Sequence, residues 1–149
     1  MVRTHRLIYL LLSFLALFAG VLCYYFFRNF NPNMIFFKLI HIKITHATIP
    51  LPDNFIAYFL KYNLNDGLWL LSGILFFRFV WFNNSKTGDL YVIIFICIAL
   101  LLQLLKLIKR FPGTFDIFDI ITMASFALLE HYLNLRFKKG RRTGCVKER

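Results

Sequence analysis

Apolar residues run along this chain in stretches of about twenty, separated by short polar breaks, a period too long for strands and too unbroken for half-buried soluble helices. Leu7 to Phe27 is a run of 21 residues without a charge, roughly 31 Å as a helix and about one hydrocarbon thickness. A second stretch runs from about Asp66 to Phe82. Trp69 and Trp81 sit near its two ends as interfacial anchors would, and Arg78, within one turn of the far end, is placed to snorkel. The polar segment Asn83 to Asp89 predicts a compact turn, and Leu90 to Ile108 predicts a third span broken only by Gln103 and Lys106. Phe115 to Leu135 predicts a fourth, after the breaker Phe111-Pro112-Gly113-Thr114. The pattern therefore predicts an all-α integral membrane four-helix bundle, a single transmembrane domain over 1–149 with spans near 7–27, 66–82, 90–108 and 115–135.

Residues 28–65 break this rhythm. Pro32, Pro50 and Pro52 interrupt helices, and Lys38, His41, Lys43 and His46 lie among Ile and Phe. Ile40 to Ile44 alternates apolar and polar residues, a short extended pattern, whereas Asp53 followed by Asn54 to Tyr62 predicts a capped amphipathic helix. Phe55, Tyr58, Phe59 and Tyr62 suit a membrane interface, so the segment is expected to rest on the bilayer as an extracytoplasmic loop. The first run could instead be a signal peptide, since Arg3, His5 and Arg6 precede it. Its length exceeds a signal core, and no Ala-x-Ala site follows. Leu22 before Cys23 also spoils a lipoprotein cleavage site, so an uncleaved helix is expected.

Composition strengthens the membrane reading. The 149 residues are 59% hydrophobic and only 17% charged, against about 25% charged in soluble domains. Cys23, Cys97 and Cys145 are odd in number and share no Cys-x-x-Cys spacing, so neither a disulfide framework nor a zinc site is implied. No two histidines share a helical metal spacing, and no metal site is expected.

The net charge of +11 would suggest nucleic acid in a soluble protein, but position redirects it. Seven of the 18 Lys and Arg residues fall in the last fourteen positions, 136–149, directly after an apolar stretch. That is a basic cytoplasmic tail facing anionic lipid, so membrane lipids rather than nucleic acid are the expected partners. With the N-terminus inside, eleven basic residues fall inside and seven outside, which predicts a multi-pass protein with both termini cytoplasmic.

Charges in spans are costly, at roughly 2.5 to 3.5 kcal/mol for Asp at a helix centre on insertion scales, so each needs a reason. Asp66 opens the second span and Asp116 and Asp119 open the fourth, which places all three at the outer end, level with Lys106, Lys109 and Arg110. Asp116 and Asp119 are spaced i, i+3, and Met123, Phe126 and Glu130 continue the same helical stripe, predicted to face the bundle interior with Glu130 deep or at the inner end. Asp66 and Asp116 could equally be first-turn acids held by the helix dipole. The functional alternative is an outward-facing pocket in which Asp66, Asp116 and Asp119 bind a cationic group, a metal ion or a lipid headgroup, Lys109 and Arg110 supply anion contacts, and Gln103 hydrogen-bonds across the bundle.

Asn65-Asp66-Gly67-Leu68-Trp69 and Pro112-Gly113-Thr114-Phe115-Asp116-Ile117-Phe118-Asp119 resemble the VanZ-like family of small bacterial membrane proteins, which carries a polar-headed second span and an Asp-x-x-Asp pair opening its last. The resemblance covers about residues 64 to 130. It departs from the family pattern at Gly67, Leu100, Met123 and Phe126. It implies a four-helix protein of the bacterial inner (cytoplasmic) membrane, some members of the family being linked to glycopeptide resistance at the cell envelope, with an envelope lipid or cell-wall precursor as the partner. Two alternatives belong to other classes: a metal-dependent lipid-headgroup or isoprenoid-phosphate enzyme, and a structural subunit of a membrane complex. For the enzyme, the Asp-Gly pair resembles the start of the CDP-alcohol phosphotransferase motif, but the rest of that motif, and an evident nucleophile or base, are missing from the sequence.

Overall fold

The computed structural model describes residues 2–27, 52, 54–108 and 115–146, and the side chains of all of these except 2–5, 85 and 137–146. Among them the protein is entirely helical: α1 (Val2–Phe27), a short α2 (Phe55–Tyr58), a π-helical turn (Phe59–Asn63), α3 (Leu64–Val80), α4 (Ser85–Leu107) and α5 (Ile117–Val146). The alternating segment Ile40–Ile44 and the breaker at 111–114 lie outside the described residues.

Two helical stretches, Arg6–Phe27 and Lys86–Leu107, are long and apolar enough to cross a membrane. Only 22% and 11% of their most apolar windows is buried inside the protein, which is not how the core helix of a soluble domain behaves. The outward faces are apolar instead. On α1, Leu11, Phe14 and Phe18 are each about 60% exposed, while Tyr9, Ser13, Ala16 and Gly20 on the opposite stripe are buried. This polarity is inverted relative to a soluble bundle. Buried Asn63, Asn65, Ser72, Arg78, Gln103, Asp119, Glu130 and Asn134 populate the interior, and an apolar solvent around the helices removes the cost of the exposed Leu, Ile and Phe.

α3 is the hub, packing on α1, α5 and α4. Small residues let it do so. A Cβ added at Gly67 would come within 2.5 Å of the Phe126 ring and 2.8 Å of Thr122 Cγ2, so the bare backbone of α3 is what allows α5 to close on it. Gly20 plays the same part on α1, where Trp69 and Asn65 of α3 occupy the space of a side chain. Across this contact Ser13 Oγ donates to the Ser72 carbonyl at 2.9 Å. We expect Gly67→Val to destabilise the protein by about 1–3 kcal/mol, the usual cost of overpacking, read as a lower unfolding midpoint in detergent.

The interior is layered. Leu70 and Ile74 of α3, Val92 of α4 and Met123 of α5 form an apolar core, flanked by Phe77, Phe95, Ile96, Ala99 and Ala127. Polar clusters lie on either side of it, one around Asp66 and Asp119 and the other around Arg78 and Glu130.

Three expectations change. The interfacial helix begins at Phe55, with Asn54 rather than Asp53 as its cap (Asn54 Oδ1 accepts from Ala57 N–H at 2.8 Å), and it runs without a break through the π turn into α3. The described part of the 28–65 loop is thus the start of α3's own helical run, because Asn63 continues the backbone hydrogen bonding through Leu64 N–H to the Phe59 carbonyl. The turn at 83–89 is shorter than predicted: Asn84 accepts from Thr87 N–H at 3.2 Å and caps α4, so Ser85 onward is already helix. α5 likewise continues past Leu135 to Val146, carrying the basic tail's backbone on as helix.

Candidate functional site

The first polar cluster is assembled by the π turn, α3, α4 and the start of α5. The five-residue π turn holds one wider loop of backbone, a feature that elsewhere marks functional sites. It ends in Asn63, which is fully buried. Asn63 Nδ2 donates to Asp119 Oδ1 at 2.8 Å and to Asp116 Oδ2 at 3.4 Å, tying together the two acids that open α5. Asp116 also accepts from the Tyr58 hydroxyl at 2.7 Å and from Phe118 N–H at 3.0 Å. The hydrogen bond to that carboxylate lifts the exposed Tyr58 phenol above its ordinary pKa and keeps it a donor.

Across the cluster, Gln103 Nε2 of α4 donates to Asp66 Oδ2 of α3 at 2.9 Å and approaches the Met123 sulfur at 3.7 Å. Lys106 Nζ stands 3.9 Å from the same Asp66 oxygen, an ion pair without a hydrogen bond. Asp66 and Asp116 both act electrostatically on Asp119, as does Lys106. Asp119 is 6% exposed and Asp66 retains about a quarter of its surface, so the cluster has a buried floor and an open rim.

Of the predicted site residues, Asp66, Gln103, Asp116 and Asp119 come together, and Gln103 reaches across the bundle as expected. Lys109 and Arg110 lie outside the described residues. The alternative reading as helix caps separates the acids. Asp116 does cap α5 through Phe118 N–H. Asp66 does not cap α3, since the π turn already feeds that helix and leaves no free N-terminus there. Asp119 lies one turn further in, held by a side chain.

Asn63 and Tyr58 were not anticipated. Both fall in the segment read as an interfacial loop, and only the helical continuity of 55–80 turns them toward α5. Among the described residues no group of three or more His, Cys, Asp or Glu side chains is placed to hold a metal ion. The carboxylates are spaced by amides rather than converging on one point.

The second cluster corrects the expectation for Arg78. Instead of snorkelling, its guanidinium is buried: Nε donates to Glu130 Oε1 at 2.9 Å, and Nη1 pairs with Asp89. Glu130 is itself 3% exposed, as its place on the Asp119–Glu130 stripe predicted. One arginine thus ties α3, α4 and α5 together. Nearby, the Tyr9 hydroxyl donates to Asn134 Oδ1 at 3.4 Å, and Arg6 donates to the Phe79 carbonyl at 3.3 Å. Its satisfied geometry reads as a structural clasp, while the aspartate cluster, with three carboxylates facing one described ammonium, reads as a site. No protein-family model, curated protein or solved structure matches this chain.

Proposed function

We propose that this is a VanZ-like, four-span protein of the bacterial inner membrane, with both termini cytoplasmic, that binds a polar headgroup or envelope precursor through an outward-facing acidic cluster. In this reading α1, α3, α4 and α5 are the spans, and α2 with the π turn lies at the outer interface. The observation that carries it is the gathering of Asp66, Asp116 and Asp119 at one end of a bundle whose lipid-facing surfaces are apolar. A carboxylate as buried as that of Asp119 costs a great deal in such an environment, and it shares one described cation, Lys106, with the half-buried Asp66 and Asp116. A positively charged guest offsets that cost. The family resemblance, at Asn65–Trp69 and Pro112–Asp119, falls on the same two helix starts.

Lipid retention tests the reading. Asp66→Asn keeps the size of the side chain and its ability to accept from Gln103, so the protein should insert normally. It should co-purify with markedly less bound lipid, seen by native mass spectrometry of the detergent-extracted protein. Unchanged retention for Asp66→Asn and Asp119→Asn alike would remove the cluster from headgroup binding. Fusing a cytoplasm-dependent fluorescent reporter to each terminus in turn tests the sidedness, and a dark fusion at either end refutes it.

A further inference from the structure

The amides within the cluster specify its guest more closely than charge alone. Asn63 Nδ2 and Gln103 Nε2 are turned toward carboxylates. Their oxygens, Asn63 Oδ1 and Gln103 Oε1, are buried and meet no hydrogen-bond donor among the described residues. The two side chains are 0% and 5% exposed. Rotating either amide would set its oxygen against a carboxylate oxygen, so the orientation is fixed by repulsion. Among the described residues the cluster thus holds acceptors in surplus, three carboxylates beside two amides whose oxygens lack a donor, and a buried acceptor without a donor is costly.

We infer that the Asp66, Asp116 and Asp119 cluster selects a primary ammonium group over a quaternary one, an inference that rests on the headgroup-binding role proposed above. A primary ammonium brings positive charge and three N–H donors, whereas a trimethylammonium brings the same charge and none. The surplus acceptors distinguish the two. A quaternary cation is bound instead by a cage of aromatic faces. The tyrosines at the rim, Tyr58 and Tyr62, lie tilted at 46° with centroids 4.9 Å apart, and the Lys61 ammonium already stands 5.2 Å from the Tyr62 ring centroid. A divalent ion fits less well, because no three acidic side chains among the described residues form a ligand group.

The chemistry is shared by an ethanolamine-type lipid headgroup and by a small free amine, and one titration series separates them. Full-length protein, stripped of lipid in detergent, is titrated with phosphatidylethanolamine, its N-methyl and N,N-dimethyl derivatives, and phosphatidylcholine of the same acyl composition, with phosphatidylglycerol alongside. Affinity should fall at each methylation, by roughly tenfold or more over the series. Displacement of bound phosphatidylethanolamine by soluble phosphoethanolamine supports the inference with a free source; resistance to displacement supports it with a lipid source. Equal affinity across the series overturns the ammonium preference and leaves headgroup binding standing. No binding by any of the five lipids overturns both. Asn63→Ala and Gln103→Met should each flatten the series, whereas Asn134→Ala, in the other cluster, should not. The slope itself is read on the unaltered chain, so it does not depend on any variant folding.

Discussion

Replacing Arg78 by Met should destabilise the protein by about 3–5 kcal/mol, the cost of leaving the buried Glu130 carboxylate without its cation. Arg78 is 8% exposed and Glu130 3%, so neither charge recovers hydration when the other is lost. The variant leaves Glu130 without a cation among the described residues and Asp89 without its link to α3. Arg78→Lys should recover only part of the loss, because one ammonium cannot reproduce the fork that meets Glu130 through Nε and Nη2 while Nη1 reaches Asp89. The informative comparison is the double variant Arg78→Met with Glu130→Leu. Removing both buried charges should restore much of the stability, since a buried pair is worth far less than the penalty for breaking it. Unfolding midpoints in detergent measure all three. A double variant as unstable as Arg78→Met alone would mean that the clasp has a role beyond its own charge balance.

How much of this was legible in the sequence depended on whether the signal was local. The 21-residue run of α1 and the apolar length of α4 are properties of contiguous residues, and composition alone exposed them. The inward stripe of α5 was largely readable from helical spacing: Asp119, Met123 and Glu130 are buried, whereas Asp116 and Phe126 on the same stripe are half-buried. Arg78 was not. A cation one turn from a helix end snorkels or is buried according to what stands opposite, and Glu130 lies 52 residues away in sequence. Asn63 was invisible for a related reason. Pro50 and Pro52 upstream suggested a loop, yet the chain re-enters helix at Phe55 and inserts a π turn that no residue pattern announced.

The two clusters also differ in how they treat charge. Around Arg78 each described acid finds a partner, and the arrangement closes on itself. Around Asp119 the hydrogen bonds are spent on holding carboxylates near one another, and among the described residues only Lys106 offsets their mutual repulsion. The apolar layer of Leu70, Ile74, Val92 and Met123 stands between them. Asp66 and Arg78, twelve residues apart on α3, are therefore separated by about 18 Å along that helix. Charge at one end is poorly screened by charge at the other, and each cluster has to be balanced locally or by a guest.

The described residues of this cluster hold surplus negative charge, and such a site should be a place where stability and binding trade against each other. Asp119→Asn keeps an oxygen to accept from Asn63 Nδ2, removes a buried charge lying within reach of Asp66 and Asp116, and changes side-chain volume hardly at all. Removing an unbalanced carboxylate from the floor should raise stability in lipid-free detergent by about 1–3 kcal/mol, as relief of a buried charge does. The same change should weaken binding of a cationic headgroup by roughly tenfold to a hundredfold, the loss of one charge-assisted hydrogen bond and its Coulomb attraction. A cluster that served only to hold helices together would respond the other way, because losing its charge-assisted bond to Asn63 would lower the unfolding midpoint. Measuring the midpoint with and without phosphatidylethanolamine separates the cases: in the wild type the lipid should raise it, and in Asp119→Asn the lipid-free midpoint should already be higher and the increment largely gone. A lower midpoint together with an undiminished lipid increment would make Asp119 a packing residue and move recognition elsewhere in the protein.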